Sequence, residues 1–208
     1  MNILCVKAGN KYDEWYVNRL YWNTRQYFPE SKFHCITENP EGIIPEVSII
    51  PLPDDNLEKW WWKMWLFNPD WITLDNCLYL DLDLVLQDEF DVLYGDQPYL
   101  LYCHWVKDGF PGNRYQRCAI NSSVISWDLK TNRNEIWSYW KEHRDIIMFC
   151  FRGIDNFLYN TKMRYSFYPD IAHSYNQSGE NSDHPIQLYN WNGITGQDIK
   201  PHELIREK

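Results

Sequence analysis

The chain has 208 residues, of which 44% are hydrophobic and 17% aromatic, and its formal net charge is −9 at pH 7. This length fits one folded domain with a full core, and the aromatic content excludes a disordered or low-complexity chain. Because the net negative charge repels phosphate backbones and no basic patch interrupts it, we expect no nucleic-acid partner.

The N-terminus and the cysteines indicate the cellular compartment of the protein. The stretch MNILCVKAG is too short an apolar run for a signal peptide, and no uncharged apolar run is long enough to cross a bilayer. The six cysteines form no CxxC pair, so reduced thiols are expected rather than disulfides or a zinc site. These features predict a cytoplasmic protein without a transmembrane segment.

The first ninety residues alternate between strand-like and helix-like segments. The stretch NILCVKAG (2–9) predicts a buried strand that ends in a glycine turn, and 13–28 has the apolar spacing of a helix. The segments that follow predict strands over 32–38 and 47–53, a helix over 56–69 and a very apolar fourth strand over 76–86. This order is typical of an α/β protein with a mostly parallel central sheet, where ligands bind at the carboxyl ends of strands.

The rest of the chain predicts further strands and helices, and it contains no repeat or linker that would divide the domain. Strands are predicted over 97–103 and 118–128, and helices over 134–149 and 155–163. From Ser174 onward, the many Asn, Gly, Ser and His residues predict a loop-rich closing segment. We therefore expect a single domain over 1–208.

Two carboxylates, Asp81 and Asp83, interrupt the apolar segment CLYLDLDLVL. In a continuous strand, residues two apart face the same side, so both acids would project together. Neighbouring carboxylates repel each other, and a partly buried pair needs a cation between them. Oxygen ligands suit Mg²⁺ or Mn²⁺, so the pattern predicts a divalent metal site. The alternative is that the strand ends near Asp81 and that both acids are solvated turn residues.

Four segments, YLDLDLVL, KMW, INSSVISWD and RGIDNFLYN, lie between positions 63 and 160, with KMW preceding YLDLDLVL along the chain. In their chain order they resemble the motifs of GT-A fold glycosyltransferases, specifically family 8, the glycogenin and lipopolysaccharide galactosyltransferase group. The first resembles the family's D-x-D, whose acids hold Mn²⁺ against the diphosphate of a nucleotide-sugar. The second resembles a lysine that contacts the donor, and here Lys63 precedes Asp81 by 18 positions.

The other two motifs resemble those that face the sugar. INSSVISWD is similar to the family's F-N-[SA]-G-V strand, which implies that Asn121 and Ser122 face the donor sugar. RGIDNFLYN is similar to G-D-Q-x-x-L-N, which implies that Asp155 and Asn156 line the sugar and acceptor side. By resemblance, Asp155, Asn156 and Lys63 are therefore the candidate catalytic residues.

The resemblance implies a GT-A fold whose two halves along the chain bind different parts of the substrates. Residues 1–90 would form the nucleotide-binding half, in which Lys7 and Gly9 bind the base and ribose and Tyr12 stacks on the base. Residues 91–208 would form the sugar and acceptor half. The implied reaction transfers a sugar from a UDP-sugar to an unknown acceptor hydroxyl, with Mn²⁺ (or Mg²⁺) as cofactor and with retention of the anomeric configuration.

Three departures from the family pattern are visible. Ser123 stands where a glycine is usual, and Asn156 stands where a glutamine is usual. The family's third metal ligand, a C-terminal histidine, has no clear counterpart. Alignment of the tail IQLYNWNG with the relatives' ending puts Asn190 at that position, and His184 and His202 are the alternatives.

Each candidate also has a purely structural interpretation. Lys63 can be the solvent-facing residue of an amphipathic helix, Asp155 can be a helix N-cap, and Asn121 can be a turn residue. At the level of the whole chain, DLDLVL also fits the nucleophile strand of haloacid-dehalogenase-like phosphatases, although that strand is normally the first and here it is the fourth. A transferase-like domain that binds carbohydrate or nucleotide without catalysis is the non-enzymatic alternative.

Overall fold

The computed structural model describes residues 1–105, 118–161, 163–175 and 182–189. The strands, in chain order, are β1 (Asn2–Lys7), β2 (Lys32–Thr37), β3 (Ser48–Pro51), β4 (Cys77–Leu80), β5 (Leu84–Leu86), β6 (Tyr99–Tyr102), β7 (Ile120–Trp127), β8 (Ser166–Phe167), β9 (Ala172–Ser174) and β10 (Ile186–Leu188). The helices are α1 (Glu14–Tyr27), α2 (Asn134–Cys150), α3 (Ile154–Asn160) and a 3₁₀ helix (Lys59–Phe67).

A seven-stranded sheet in the order β3-β2-β1-β4-β7-β6-β8 occupies the centre. Strand β1 pairs in parallel with β2 and β4, β2 pairs in parallel with β3, and β7 is antiparallel to both β4 and β6. The predicted α/β class with a mostly parallel sheet is confirmed. Because β7 is antiparallel, it begins at the edge where β4 ends, with Val124 opposite Leu80.

The predicted continuous strand over 76–86 is wrong. Strand β4 ends at Leu80, and residues 81–83, which we call the acid turn, contain both carboxylates. Strand β5 then enters a separate three-stranded sheet in the order β5-β10-β9. The same-face argument for Asp81 and Asp83 therefore fails, since a turn and not a strand carries them. The loop-rich tail predicted from Ser174 is also partly wrong, because β10 is the middle strand of this second sheet.

Helix α1 supplies side-chain partners for the acid turn and for β5. Three of its residues bond to that backbone: Arg19 to the carbonyls of Leu82 and Leu84, Asn23 to both backbone groups of Leu86, and Tyr27 to the carbonyl of Gln87. Residues four apart lie on one face of a helix, so this face of α1 runs along β5. It bonds to backbone groups of β5, which is an edge strand of its sheet.

The central sheet is covered on both faces. Consecutive residues of a strand point to opposite sides, and Ile3 packs with the core under α1, whereas Leu4 packs with the core under α2, α3 and the 3₁₀ helix. Both residues are fully buried. The sheet is therefore the middle layer of an α/β sandwich, and its strand ends are left to form the site.

The tryptophan-rich segment, predicted as a helix over 56–69, forms a 3₁₀ helix over Lys59–Phe67. With three residues per turn, every third side chain lies on one line. Trp61, Met64 and Phe67 form such a line and are all buried in the core. Lys63 is on a different line, so burial of the first line leaves its side chain free to reach the end of the sheet.

The predicted helices over 134–149 and 155–163 correspond to α2 and α3. The cysteines are all free thiols, four of them buried, as expected from the sequence. Among the helices in the described ranges, none combines the length and the apolar character that crossing a membrane requires.

The core under α3 gives a first test of this packing. Phe157 is 0% exposed, and Phe157→Ala should lower the free energy of unfolding by about 3 to 5 kcal/mol, because it leaves a cavity beneath the sheet. Phe149 on α2 is 91% exposed, so Phe149→Ala is the matched control and should leave stability nearly unchanged. Urea denaturation measures both, and equal effects of the two substitutions would contradict the packing described.

Candidate functional site

A cleft of about 1380 Å³ opens where β1 and β4 end and β7 begins. The residues that matter for its chemistry come from the loop after β1, the 3₁₀ helix, β4 with the acid turn, β7 and the start of α3: Gly9, Lys11, Tyr12, Trp60, Lys63, Tyr79, Asp81, Asp83, Asn121, Ser122, Ser123, Gly153, Asp155 and Asn156. Its position matches the expectation that ligands of α/β proteins bind at the carboxyl ends of strands.

An ion pair between Lys63 and Asp81 lies at the centre of the cleft. The Nζ of Lys63 is 2.8 Å from Oδ2 of Asp81, and the two side chains are only 12% and 18% exposed. The same Nζ lies 3.3 Å from the hydroxyl of Ser122. The phenol of Tyr79 donates a hydrogen bond to the other oxygen of Asp81. Both oxygens of Asp81 therefore have partners within the chain.

The charge state of Lys63 follows from its neighbours. Burial alone lowers the pKa of Lys63, but the negative charges of Asp81, Asp155 and Asp83, together with the hydrogen bond to Asp81, outweigh burial and raise it. Lys63 is therefore a stable ammonium at neutral pH. The interpretation of Lys63 as a solvent-facing helix residue is wrong.

Asp83 is 8% exposed, which is less than Asp81. Its Oδ2 accepts a hydrogen bond of 2.7 Å from the hydroxyl of Tyr12. Burial and the negative charge of Asp81 raise the pKa of Asp83, while Lys11, the Tyr12 hydrogen bond and Lys63 act in the opposite direction. A carboxylate in this position is stabilised by any further positive charge that enters the cleft.

Asp155 lies in the first turn of α3 and faces β7. The backbone amide of Ser122 donates a hydrogen bond of 3.0 Å to its Oδ1. Burial raises the pKa of Asp155, and the charge of Lys63 and the Ser122 hydrogen bond partly offset this. The N-cap of α3 is Gly153, and it carries no side-chain cap, so the N-cap interpretation of Asp155 is wrong.

The amide side chain of Asn121 lies within β7, where it is buried, and its Oδ1 accepts a hydrogen bond of 2.8 Å from the amide of Ser123. It is therefore a strand residue and not a turn residue. Asn156, on the first turn of α3, also lines the cleft. The structure thus brings the two sugar-side motifs together at one end of the cleft, although they are 33 positions apart along the chain at Ser122 and Asp155.

Of the three residues predicted to bind the nucleoside near the end of β1, two line the cleft and one does not. Gly9 lines the cleft with a left-handed φ of 69°, and its amide donates to Glu38 over 2.7 Å. Tyr12 lines the cleft too, and the ammonium of Lys11 lies 4.5 Å from its ring centroid. Lys7 is different, because its Nζ donates to the carbonyl of Asn39 and its side chain is not among those that line the cleft.

The tail offers three candidates for the third metal ligand, and the structure describes one of them. Asn190 and His202 lie outside the described residues. His184 lies just before the start of β10, at the end of that strand away from the acid turn, where its imidazole contacts Asp170 and Ser182. The amide of Tyr189 donates to the backbone carbonyl of Asp83 over 2.9 Å, so the described part of the tail ends beside the acid turn.

The donor set of the acid turn fits a hard divalent cation. Two carboxylates offer oxygen ligands, and Mg²⁺ or Mn²⁺ commonly completes its shell with water and substrate phosphate. Asp83, whose charge is destabilised by burial, gains most from such a cation. Over the ranges that the structure describes, no group of three or more His, Cys, Asp and Glu side chains could hold a metal.

Some contacts that hold the site together carry no sequence signal that indicates them. Tyr79 and Tyr12 hold the two acids through their hydroxyls, and Arg19 holds the acid turn from α1. Gly153 is a further case, because a Cβ there would lie 2.7 Å from Nε1 of Trp60. The glycine of the RGIDNFLYN motif therefore permits α3 to approach the indole that forms one wall of the cleft.

Neither a protein-family model nor a curated protein matches the chain. Solved structures do match. A crystal structure of the galactosyltransferase LgtC in complex with donor and acceptor sugar analogues has 14% sequence identity and a TM-score of 0.61, over 91% of this chain and 87% of that one. The apo form of the glycosyltransferase GlyE from Streptococcus pneumoniae TIGR4 has 15% identity and a TM-score of 0.60, over 91% of this chain and 54% of that one. The predicted GT-A fold is confirmed.

The ion pair at the centre of the cleft gives a second test. Lys63→Met leaves Asp81 with a partly buried, uncompensated charge, and we expect the free energy of unfolding to fall by about 1 to 3 kcal/mol. Asp81→Asn in the same chain should recover part of that loss, since neighbouring charges couple non-additively. Urea denaturation of the two single variants and the double variant measures the coupling.

The control is Lys141→Met, which removes an exposed lysine of α2 and should leave stability almost unchanged. Strict additivity of Lys63→Met and Asp81→Asn would contradict the ion pair.

Proposed function

We propose that this chain is a metal-dependent glycosyltransferase that moves a sugar from a UDP-sugar to an acceptor hydroxyl with retention of the anomeric configuration. One observation carries the proposal. In a fold shared with glycosyltransferase structures, Asp81, Asp83, Lys63 and Asp155 meet in a single large cleft at the strand ends. These four residues come from three motifs whose order resembles family 8.

Asp81 and Asp83 would hold Mn²⁺ or Mg²⁺, and we propose Asn190 as the protein's third ligand because it follows Tyr189, whose amide bonds to the acid turn. An Asn carbonyl oxygen is a suitable ligand for either ion. The bound ion supplies Lewis-acid stabilisation of the diphosphate leaving group.

Lys63 would bind the diphosphate beside Asp81. Its ammonium is fixed by Asp81 and Ser122, so it presents positive charge at a set position without reorganising during the reaction. Such preorganised charge stabilises the negative charge that develops on the departing diphosphate. Gly9 and Tyr12 would bind the nucleoside at the β1 end of the cleft.

The sugar would lie between the start of β7 and the start of α3. Asn121, Ser122 and Asn156 offer hydrogen-bonding groups there, and Asp155 offers a carboxylate. Retention implies that the acceptor hydroxyl attacks on the face from which the diphosphate departs. If the reaction instead passes through a covalent intermediate, Asp155 is the first carboxylate to test as nucleophile.

Two rivals are distinguished by their substrates. A haloacid-dehalogenase-like phosphatase would turn over p-nitrophenyl phosphate, but the acid turn follows β4 in a fold shared with glycosyltransferases. A non-catalytic binding domain is favoured by Ser123 and Asn156, which depart from the family pattern. It would bind UDP tightly without hydrolysis or transfer. We expect UDP-sugar turnover with Mn²⁺ and none of p-nitrophenyl phosphate, as measured by UDP release and by absorbance.

Asp83→Ala tests the metal role directly. Because Asp83 is one of two carboxylate ligands, its loss should abolish divalent-dependent hydrolysis of the UDP-sugar at saturating Mn²⁺ while the circular dichroism spectrum stays native. Asp91 is exposed and outside the cleft, so Asp91→Ala is the matched control and should retain full turnover. Unchanged turnover in Asp83→Ala would count decisively against the assignment.

A further inference from the structure

We propose that Tyr12 and Arg19 are positioning residues that set the carboxylate of Asp83 for its divalent cation. The proposal rests on the proposed function, since it takes Asp83 as a metal ligand. Neither residue binds the metal itself. One acts on the side chain of Asp83, and the other acts on the backbone at both sides of it.

Tyr12 acts on the carboxylate. Its hydroxyl donates to Oδ2 of Asp83 over 2.7 Å, and this bond restricts rotation of the carboxylate about its last torsion. The phenol ring is itself held, because it packs edge-on against Tyr16 of α1 with ring centroids 4.9 Å apart. The ammonium of Lys11 adds a contact to the same ring. Tyr12 therefore transmits the rigidity of α1 to one ligand oxygen.

Arg19 acts on the backbone. One guanidinium nitrogen, Nη2, donates to the carbonyl of Leu82 over 2.9 Å and to the carbonyl of Leu84 over 2.7 Å. These are the residues immediately before and after Asp83, so a single nitrogen holds the backbone on both sides of Asp83. Burial lowers the pKa of Arg19 to about 10, and the charge of Asp83 opposes this fall, so the guanidinium keeps its charge at neutral pH.

Asp81 is held independently. Its partners are Lys63 of the 3₁₀ helix and Tyr79 of β4, neither of which belongs to α1. The two acids are thus positioned from different sides of the cleft. Loss of a contact to Asp83 should therefore weaken metal binding while Asp81 and its ion pair stay in place. The effect on Asp83 can thus be measured separately from any effect on Asp81.

Tyr12 also connects nucleoside binding with metal binding in the cleft. In the proposed function its ring lies at the nucleoside end, whereas its hydroxyl bonds to the metal ligand Asp83. Tyr12→Phe keeps the ring and removes only the hydroxyl. We therefore expect the gain in UDP affinity that Mn²⁺ provides to be smaller in this variant than in the unmodified chain.

The experiment uses the full chain with Mn²⁺ and UDP as probes. Free Mn²⁺ is measured by electron paramagnetic resonance with and without UDP, and UDP binding by calorimetry. Tyr12→Phe and Arg19→Met should each weaken Mn²⁺ binding about 10- to 100-fold, the range typical of residues that orient metal ligands.

The control substitutions are at two other residues of α1, which bond to the backbone of Leu86 and Gln87. Tyr27→Phe removes a phenol that donates to the backbone of Gln87, and Asn23→Ala removes the amide that bonds to Leu86. Both residues lie on the α1 face that carries Arg19, but they hold the chain beyond the acid turn. The Mn²⁺ affinity of both control variants should equal that of the unmodified chain, even if the substitution lowers stability.

The outcomes are distinguishable. If the unmodified chain binds neither Mn²⁺ nor UDP, alone or together, the proposed function fails and the inference falls with it. If the unmodified chain binds both and Tyr12→Phe binds Mn²⁺ as Tyr27→Phe does, the inference alone is overturned. Should Arg19→Met fail to fold, Tyr12→Phe decides the matter, since it removes one oxygen and no buried volume beyond it.

Discussion

The constraint on which the site depends is the charge balance among its largely buried side chains. Three carboxylates, those of Asp81, Asp83 and Asp155, lie near the ammonium of Lys63, and the ammonium of Lys11 also acts on Asp83. Burying carboxylates costs free energy unless opposite charge or hydrogen bonds compensate it, and Lys63 directly pairs only with Asp81. In the proposed function, a divalent cation bound with the nucleoside diphosphate would stabilise the carboxylates that Lys63 does not pair with.

The break after β4 is what opens this cleft. If the segment had continued as one strand, the two acids would have extended the sheet and faced one of its covered sides. Instead the chain turns at 81–83, and β5 leaves for the second sheet. The antiparallel direction of β7 then brings Asn121 and Ser122 to the same edge, and α3 adds Asp155 from above them. The site is thus assembled from a turn, a strand beginning and a helix beginning.

Several site residues could be predicted from the sequence because their motifs are local. Asp81 and Asp83 stand out as acids within an apolar run, and the resemblance of their motifs to family 8 indicates Lys63, Asn121 and Asp155. All five line the cleft. The strand break near Asp81 was the alternative that the sequence left open, since the apolar residues on both sides of it favour a strand equally well. Lys7 was expected at the nucleotide, but its ammonium reaches Asn39 instead.

By itself the sequence determined the alternation of strands and helices, the apolar core and the presence of an acid pair, because periodicity and composition act over a few neighbouring residues. Only the tertiary structure decided what neutralises and holds those acids. Tyr12 meets Asp83 across 71 positions of the chain, and Arg19 meets Leu82 across 63. Such contacts form when helix α1 packs against the sheet, and no local pattern encodes which of its polar side chains will then face the acid turn.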